Sequence, residues 1–283
     1  MARRHIYEEP VSQLAIWARR MAFFALAAAG LAAIVVQSGM LEAKPAIATF
    51  GAALAIAGIA LLLSLAAFVS IWSVGRAGMG AALAAMALSL LLLGYPAFIA
   101  VRAYHLPLIY DITTDPLDPP RYEALARVRP RGANPIAYAG LYSAEQQRRA
   151  YPDIGPLTVN ATPQATYDAA YTVINKRKWR IVDARPPQAR REGHIEAVAR
   201  TPVMGFRDDV IVRIRTDGDG ARIDIRSSSR YGSFDFGANA ARIRRLMNEI
   251  DDTIAQQKAT RPAPQEPPPK KGAPTAKSDQ RKR

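Results

Sequence analysis

Three long apolar stretches without charged residues fill most of the first hundred positions of the chain. They lie between Arg20 and Glu42, between Lys44 and Arg76, and between Arg76 and Arg102. A bilayer core about 30 Å thick needs roughly 20 helical residues to cross it, and each stretch is long enough. Within lipid every backbone N–H and C=O must find a partner inside its own segment, which favours helices. The pattern predicts a three-helix transmembrane anchor at 20–104, with the two ends of the chain on opposite sides of the membrane.

The basic residues that flank these stretches predict the orientation of the anchor. Five lie before the first span or in the turn between the second and third, and two lie at the opposite ends of the spans. Because Lys and Arg favour the cytoplasmic side, we expect a bacterial inner-membrane protein with residues 1–19 in the cytoplasm and a periplasmic C-terminal domain. If the first stretch is instead a cleaved signal peptide, that domain stays on the same side. The five are Arg3, Arg4, Arg19, Arg20 and Arg76, and the two are Lys44 and Arg102.

The interiors of the three stretches contain no ionisable residue. Such residues are the usual mark of an ion or proton path, so we expect an anchor rather than a transporter. Ala25, Ala29 and Ala33 are spaced four apart, which allows helices to approach closely. This spacing fits packing inside one three-helix bundle and also fits association of several chains in the membrane.

Residues 105–156 are predicted to be a Pro-rich, irregular lead and connector. Three prolines stand between positions 111 and 122. Proline fixes its own φ and favours extended backbone in the residue before it, so this part is expected to be a stiff path away from the membrane. One short helix is predicted at 143–150, with Ser143 as its N-cap.

Residues 157–258 show the periodicity of an α+β domain. A capping threonine followed by proline marks a helix start at 162–163, and apolar residues at 167, 170, 171 and 174 give that helix one buried face. Alternating residues, clearest at 221–227, predict strands joined by a hairpin turn at 217–220. The simplest packing is a small antiparallel sheet with two helices on one face. The predicted strands are 157–160, 179–184, 194–200, 209–215 and 221–227, and the second helix is 238–256.

Three stretches, at 114–122, 205–213 and 226–244, resemble the family called domain of unknown function 1499. The third, RSSSRYGSFDFGANAARIR, is the most specific. The resemblance covers residues 110–255 and implies a domain of bacteria and plastids that is often membrane-anchored or exported. It assigns no catalytic residue.

Several residue combinations resemble parts of catalytic or metal-binding sites, but most lack a residue or a geometry that such a site requires. The chain has no cysteine, which excludes disulfides, thiolate catalysis and cysteine-ligated metals. His194 and Glu196 match the H-x-E of zinc deaminases, but the cysteine ligands of those enzymes are missing. The adjacent carboxylates Asp208 and Asp209 point to opposite faces of a strand, which weakens shared metal binding. We therefore predict no metal and no cofactor.

The loop at 230–239 is the best candidate for a ligand site. It follows a serine cluster and leads into a helix N-terminus, where exposed N–H groups and the helix dipole favour an anion. The alternative is structural, with Asp235 or Asn239 capping the helix and an arginine paired with Asp235. The candidate ligand-binding residues are Arg226, Ser229, Arg230, Asp235 and Asn239.

The polar face of the predicted sheet carries charges of both signs, and a solvated face is expected for such a sheet. Nucleic-acid binding would require a one-sided basic stripe and is not predicted. The tail at 259–283 is Pro-rich and basic and is predicted to be disordered. The residues of the polar face are Glu196, Arg213, Arg215, Arg222, Asp224 and Arg226.

Two functional hypotheses follow from these patterns. The favoured one is a non-enzymatic membrane protein of the cell envelope, whose exported domain binds an envelope protein, a lipid or an anionic polymer. The alternative is a hydrolase that acts on an envelope ester through a serine of the 227–229 cluster, with His194 as base. Nucleophilic catalysis requires that base within hydrogen-bond reach of an exposed serine.

Overall fold

The computed structural model describes residues 10–39, 43–189, 191–202 and 204–260. Residues 1–9 of the predicted cytoplasmic segment 1–19 and residues 261–283 of the predicted tail 259–283 lie outside these described residues. The elements in chain order are α1 (Gln13–Ser38), α2 (Ala43–Val74), α3 (Met79–Ala103), β1 (Asp111–Thr113), α4 (Ala124–Val128), α5 (Gly140–Ala150), β2 (Leu157–Val159), α6 (Pro163–Lys176), β3 (Arg180–Arg185), β4 (Gly193–Arg200), β5 (Arg207–Asp217), β6 (Gly220–Ser229) and α7 (Ala238–Thr260).

The first three helices are long and apolar enough to cross a membrane, as predicted. Small residues at intervals of three and four fill the interface between them, and Ala25 and Ala29 are buried there within a single chain. Large apolar side chains such as Phe24 and Leu62 point outward, and more than half of each is exposed. The bundle therefore has an apolar outer surface that suits lipid.

Helix α1 begins earlier than the apolar pattern predicts. Its N-cap is Ser12, whose Oγ accepts a hydrogen bond from the N–H of Ala15 at 3.4 Å. Arg19 and Arg20 consequently lie inside the helix, where long side chains near a span end can extend their charges to the interface. The apolar pattern marks the part of the helix that suits lipid, whereas the cap marks its beginning.

The soluble domain is built on a six-stranded antiparallel sheet in the order β1-β6-β5-β4-β3, with β2 also paired to β6. β5 and β6 form the central hairpin, which turns at Gly218 and Asp219 as predicted. The predicted α+β architecture is confirmed: α6 and α7 pack on one face of the sheet and bury a large apolar core. That core includes Ile174, Ile195, Val212, Ile223, Ile225, Ile243, Leu246 and Ile250.

The irregular lead predicted at 105–156 contains structure that the sequence patterns did not reveal. Asp111–Thr113 forms the edge strand β1, which pairs with 226–228 of β6. A strand of three residues is too short to show alternation, and its partner lies more than a hundred residues further along the chain. The short helix α4 was also not predicted. Helix α5 begins at Gly140, so Ser143 lies buried inside the helix rather than at its N-cap.

The expectation that the second face of the sheet is solvated is wrong. The segment between β1 and α5 covers this face, and it adds a small apolar cluster of Tyr122, Leu125, Val198 and Ile211. Glu196 and Asp224 are completely buried, and Arg213 and Arg226 are nearly so. Arg215 and Arg222 keep about a third of their side chains exposed. Charges of both signs are buried because they pair with one another and with the covering segment.

Candidate functional site

The five predicted site residues lie at the end of β6 and the start of α7, at the end of the domain that is near the three apolar helices. All five are buried. Arg226 donates to both carboxylate oxygens of Asp111, at 3.0 and 2.6 Å. Arg230 donates through Nε and Nη2 to Asp209 Oδ1, at 2.9 and 2.7 Å. Both guanidinium groups therefore have carboxylate partners within the domain.

Asp235 caps helix α7. Its two oxygens accept hydrogen bonds from the N–H groups of Gly237 and Asn239, at 2.9 and 2.8 Å. Burial raises the pKa of Asp235, although these two hydrogen bonds oppose the rise. The side chain thus has the capping role that was the structural alternative to ligand binding.

Asn239 joins the loop to the end of β6. Its amide nitrogen donates to the carbonyl of Tyr110 at 2.9 Å and to the hydroxyl of Ser229 at 3.0 Å. Its amide oxygen accepts from the hydroxyl of Ser227 at 2.8 Å. Arg242 also donates to Ser227, at 2.8 Å, and pairs with Asp208. Ligand binding by the five residues stays a prediction, and their polar atoms in this structure bond within the chain.

The serine cluster does not have the geometry of a nucleophile. Ser227 and Ser228 are completely buried and Ser229 is nearly so. Ser227 and His194 lie on opposite faces of the sheet, because their register places them an odd number of residues apart across β4, β5 and β6. Two strand spacings and three residue rises separate them by roughly 14 Å. The histidine is out of reach of that hydroxyl.

An open cleft of about 980 Å³ lies at the opposite end of the sheet. One wall is the loop between β3 and β4, with Pro187 packed against Gly193 so closely that a Cβ at position 193 would lie 2.7 Å from Pro187 Cδ. The rise of a strand places His194, in the cleft, about 20 Å from Arg200, which ends β4 beside helix α1. The polar side chains that line it include His194 and the charged Glu123, Arg185, Arg191, Glu192 and Arg215. A smaller recess of about 250 Å³ shares Glu123, Glu192 and His194 and adds Asp118, Arg121 and Arg213.

His194 lines this cleft and has two carboxylates near it. Its Nε2 is 2.8 Å from Oδ2 of Asp183, and one donor atom each of Asp183, His194 and Glu196 lies within 4.8 Å of the others. A histidine and two carboxylates are ligands that a zinc ion accepts. Here, however, Asp183 also pairs with Arg185 at 2.9 Å. These contacts account for the arrangement without a metal.

Glu196 has a structural role of its own. It accepts the N–H groups of Glu123, Ala124 and Leu125 at 2.9, 3.1 and 2.8 Å, and so caps the N-terminus of α4. Helix α4 in turn covers the second face of the sheet. The buried carboxylate therefore holds the covering segment in place beside the cleft.

The comparison with protein families agrees with this architecture. The family described as "Protein of unknown function (DUF1499)" matches residues 111–250. Residues 111–250 belong to the DUF1499 family. The match begins at the first residue of β1 and ends within α7, so the family unit includes the segment that covers the second face of the sheet. No curated protein matches the chain.

The five buried residues of the predicted site and the cleft both lie inside the DUF1499 domain, whereas the three apolar helices precede it. The cleft was not predicted from the sequence. The only local signal for it is the pair of prolines at 186–187 followed by charged residues and Gly193. Glu123 of the covering segment and residues 214–216 of β5 complete the lining, and their positions beside the loop depend on contacts between distant parts of the chain.

Proposed function

We propose that this protein is a membrane-anchored binding protein of the bacterial envelope that presents its DUF1499 domain outside the cytoplasm. Catalysis is not part of the proposal. The inner membrane as its location and the periplasm as the site of the domain are supported by the bias of basic residues around the spans. A further support is that three helices of spanning length precede the domain.

The proposed ligand site is the cleft at His194, and its lining carries the argument. Acidic and basic side chains line it together with a histidine, and the cleft opens at the end of the domain that lies away from the anchor. Such a surface suits a polar partner with charges of both signs, such as an exposed segment of another envelope protein. The buried serines favour a binding role over the hydrolase alternative.

Reporter fusions test the orientation. Alkaline phosphatase fused to the C-terminus of the full chain should be active, because that enzyme requires export to fold. The same reporter inserted at Gly75, in the turn between α2 and α3, is the matched control and should be inactive. A fluorescent protein that folds only in the cytoplasm should give the opposite pattern. Activity at Gly75 with none at the C-terminus would reverse the proposed orientation.

Site-specific crosslinking tests the cleft. A photoreactive amino acid at Gln188, which lines the cleft, should form a discrete adduct in intact cells, whereas the same amino acid at Arg148 on α5 should not. Exchange of the exposed charges, Arg191→Glu with Glu192→Arg, leaves the net charge unchanged and should abolish the adduct. The same exchange at Glu145 and Arg149 is the control. An adduct that survives the first exchange would refute the cleft as the ligand site.

A further inference from the structure

A second pocket, of about 320 Å³, lies at the membrane end of the DUF1499 domain and is strongly basic. Two of its lining residues are the neutral Trp179 and Val198. The others, all basic, are Arg177, Lys178, Arg180, Arg200 and Arg207. Among the described residues that line this pocket there is no carboxylate.

Three of these arginines converge because of the strand register. Arg200 lies directly opposite Arg207 across β4 and β5. Arg180 lies opposite Val198 across β3 and β4, and Val198 shares a sheet face with Arg200. Directly opposed residues have Cβ atoms about 5 Å apart, and like charges at that spacing are unfavourable. Burial, with the positive charges of Arg200 and two neighbouring arginines, lowers the pKa of Arg207. The structure thus concentrates positive charge at this point.

Other arginines on the same sheet face have carboxylate partners. Arg213 pairs with Asp224, Arg226 with Asp111 and Arg230 with Asp209. Within the part of the chain that the structure describes, Arg180, Arg200 and Arg207 form no ion pair with a carboxylate. Arg177 is different, since it pairs with Glu249 at 2.8 Å. Among the described residues, the three remaining arginines therefore form a cationic cluster without a carboxylate partner, and an anion bound there would neutralise it.

The cluster lies beside the end of the first membrane span. Arg200 Nη1 donates to the backbone carbonyl of Gln37, in the last turn of α1, at 2.8 Å. A Cβ built on Gly39 would lie 2.6 Å from Arg207 Nη2, so this guanidinium reaches the residue that ends the helix. The apolar part of α1 ends beside these two arginines. A pocket at the end of a span is level with the lipid head groups.

We propose that Arg180, Arg200 and Arg207 bind the phosphate group of an anionic phospholipid in the leaflet next to the DUF1499 domain. Guanidinium groups match phosphate oxygens in geometry and stay charged when partly desolvated. Anionic leaflets attract basic groups that lie beside a span. A lipid is favoured over a free anion because the cluster reaches the last turn of α1. This site is separate from the cleft, and its ligand does not depend on which side of the membrane carries the domain.

Native mass spectrometry of the full-length protein in detergent tests the lipid site. Phosphatidylglycerol and phosphatidylcholine are added in turn, and the bound lipid is counted. Wild type should retain phosphatidylglycerol preferentially, and the double variant Arg200→Gln/Arg207→Gln should lose roughly tenfold or more of that affinity, since each charge-assisted hydrogen bond is strong. The control Arg148→Gln/Arg149→Gln removes two arginines from the exposed surface of α5 and should behave like wild type.

Folding is checked by thermal unfolding of each variant. Removal of opposed like charges should not lower the melting temperature. If the double variant does unfold, the single variant Arg180→Gln, at an exposed position, tests the lipid preference instead. Equal retention of the two lipids by wild type, or equal affinity in both double variants, would overturn the proposal. Inorganic phosphate is added to the protein in phosphatidylcholine as a separate arm. Thermal protection by phosphate equal to that by phosphatidylglycerol would identify a free anion as the ligand and overturn the lipid assignment.

Discussion

The guanidinium of Arg226 donates two hydrogen bonds to the carboxylate of Asp111, from Nε at 3.0 Å and from Nη2 at 2.6 Å. This pair joins β1, the first strand after the three apolar helices, to β6, the last strand in the chain. Arg226 also lies over the ring of Tyr122, 4.6 Å from its centroid. Burial raises the pKa of Asp111, while the hydrogen bonds and charge of Arg226 oppose that rise. Arg226 also donates to the backbone carbonyls of Pro120 and Ile136, and so it holds the covering segment against the sheet.

Loss of this pair should destabilise the domain strongly. Asp111→Asn leaves the buried guanidinium without a compensating charge, which costs about 3–5 kcal/mol in comparable cases. The measurement is urea unfolding of the full chain in detergent, followed by circular dichroism. The matched control is Asp153→Asn, which breaks the exposed bidentate pair with Arg244 and should cost about 1 kcal/mol or less. Equal losses in the two variants would contradict a structural role for the buried pair.

The raised pKa of Asp235 predicts a specific pH dependence. As pH rises above the ordinary value of 3.8, the unfolded chain loses this proton before the folded one. The contribution of Asp235 to stability is therefore complete below the unfolded pKa and is lost as pH rises through the folded pKa. Asp235→Asn, which keeps a capping side chain, removes this loss. The free energy of unfolding of the variant, relative to wild type, should rise between pH 3.5 and pH 7, a range chosen to span the unfolded value of about 3.9.

Asp153 is the control, because its pKa is shifted in the opposite direction to that of Asp235. Hydrogen bonds from Arg244 lower the pKa of this exposed carboxyl. Its contribution is therefore present above the unfolded pKa and is lost as pH falls through the folded one. Asp153→Asn should become less stable relative to wild type over the same rise in pH. A parallel trend in both variants would show that the burial of Asp235 does not control its titration.

Glu196→Gln should loosen helix α4. The variant keeps the shape of the side chain but loses the charge and one of the two acceptor oxygens that receive three backbone N–H groups. We expect a loss of about 1–3 kcal/mol. Hydrogen exchange of the amides at 123–125 should accelerate. Glu123→Gln, whose carboxylate is half-exposed and pairs with Arg185, should leave these rates unchanged.

Two glycines of one hairpin should respond differently to substitution. A Cβ at Gly220 would lie 2.4 Å from the carbonyl oxygen of Val159, so Gly220→Ala must displace β2. The expected cost is about 1–3 kcal/mol in the free energy of unfolding. Gly218 has a positive φ of 54° and open space around it, and Gly218→Asn should cost less than about 1 kcal/mol because asparagine tolerates that conformation. The reverse order would contradict the close approach of β2 to the hairpin.

The local patterns of the sequence predict most of the elements. Thr162 caps α6 through its hydroxyl and Pro163 begins the helix, as predicted, because capping depends on residues three apart. The β5–β6 turn was predicted for a similar reason, since glycine and aspartate mark it directly. The contacts within the candidate site were predicted less well than its location. Its residues were located at the end of β6 and the start of α7, but the sequence does not show that Arg226 and Arg230 meet Asp111 and Asp209.

The sequence by itself determined the three long apolar helices, five of the six antiparallel strands and the two helices that cover one face of the sheet. Each of these depends on a periodicity or a cap within a few neighbouring residues. Only the tertiary structure decided that the segment between β1 and α5 covers the second face, that His194 lines a cleft, and that Arg200 and Arg207 meet at the end of α1. These relationships join residues far apart in the chain. They are stabilised by buried ion pairs and strand register, which leave no local pattern.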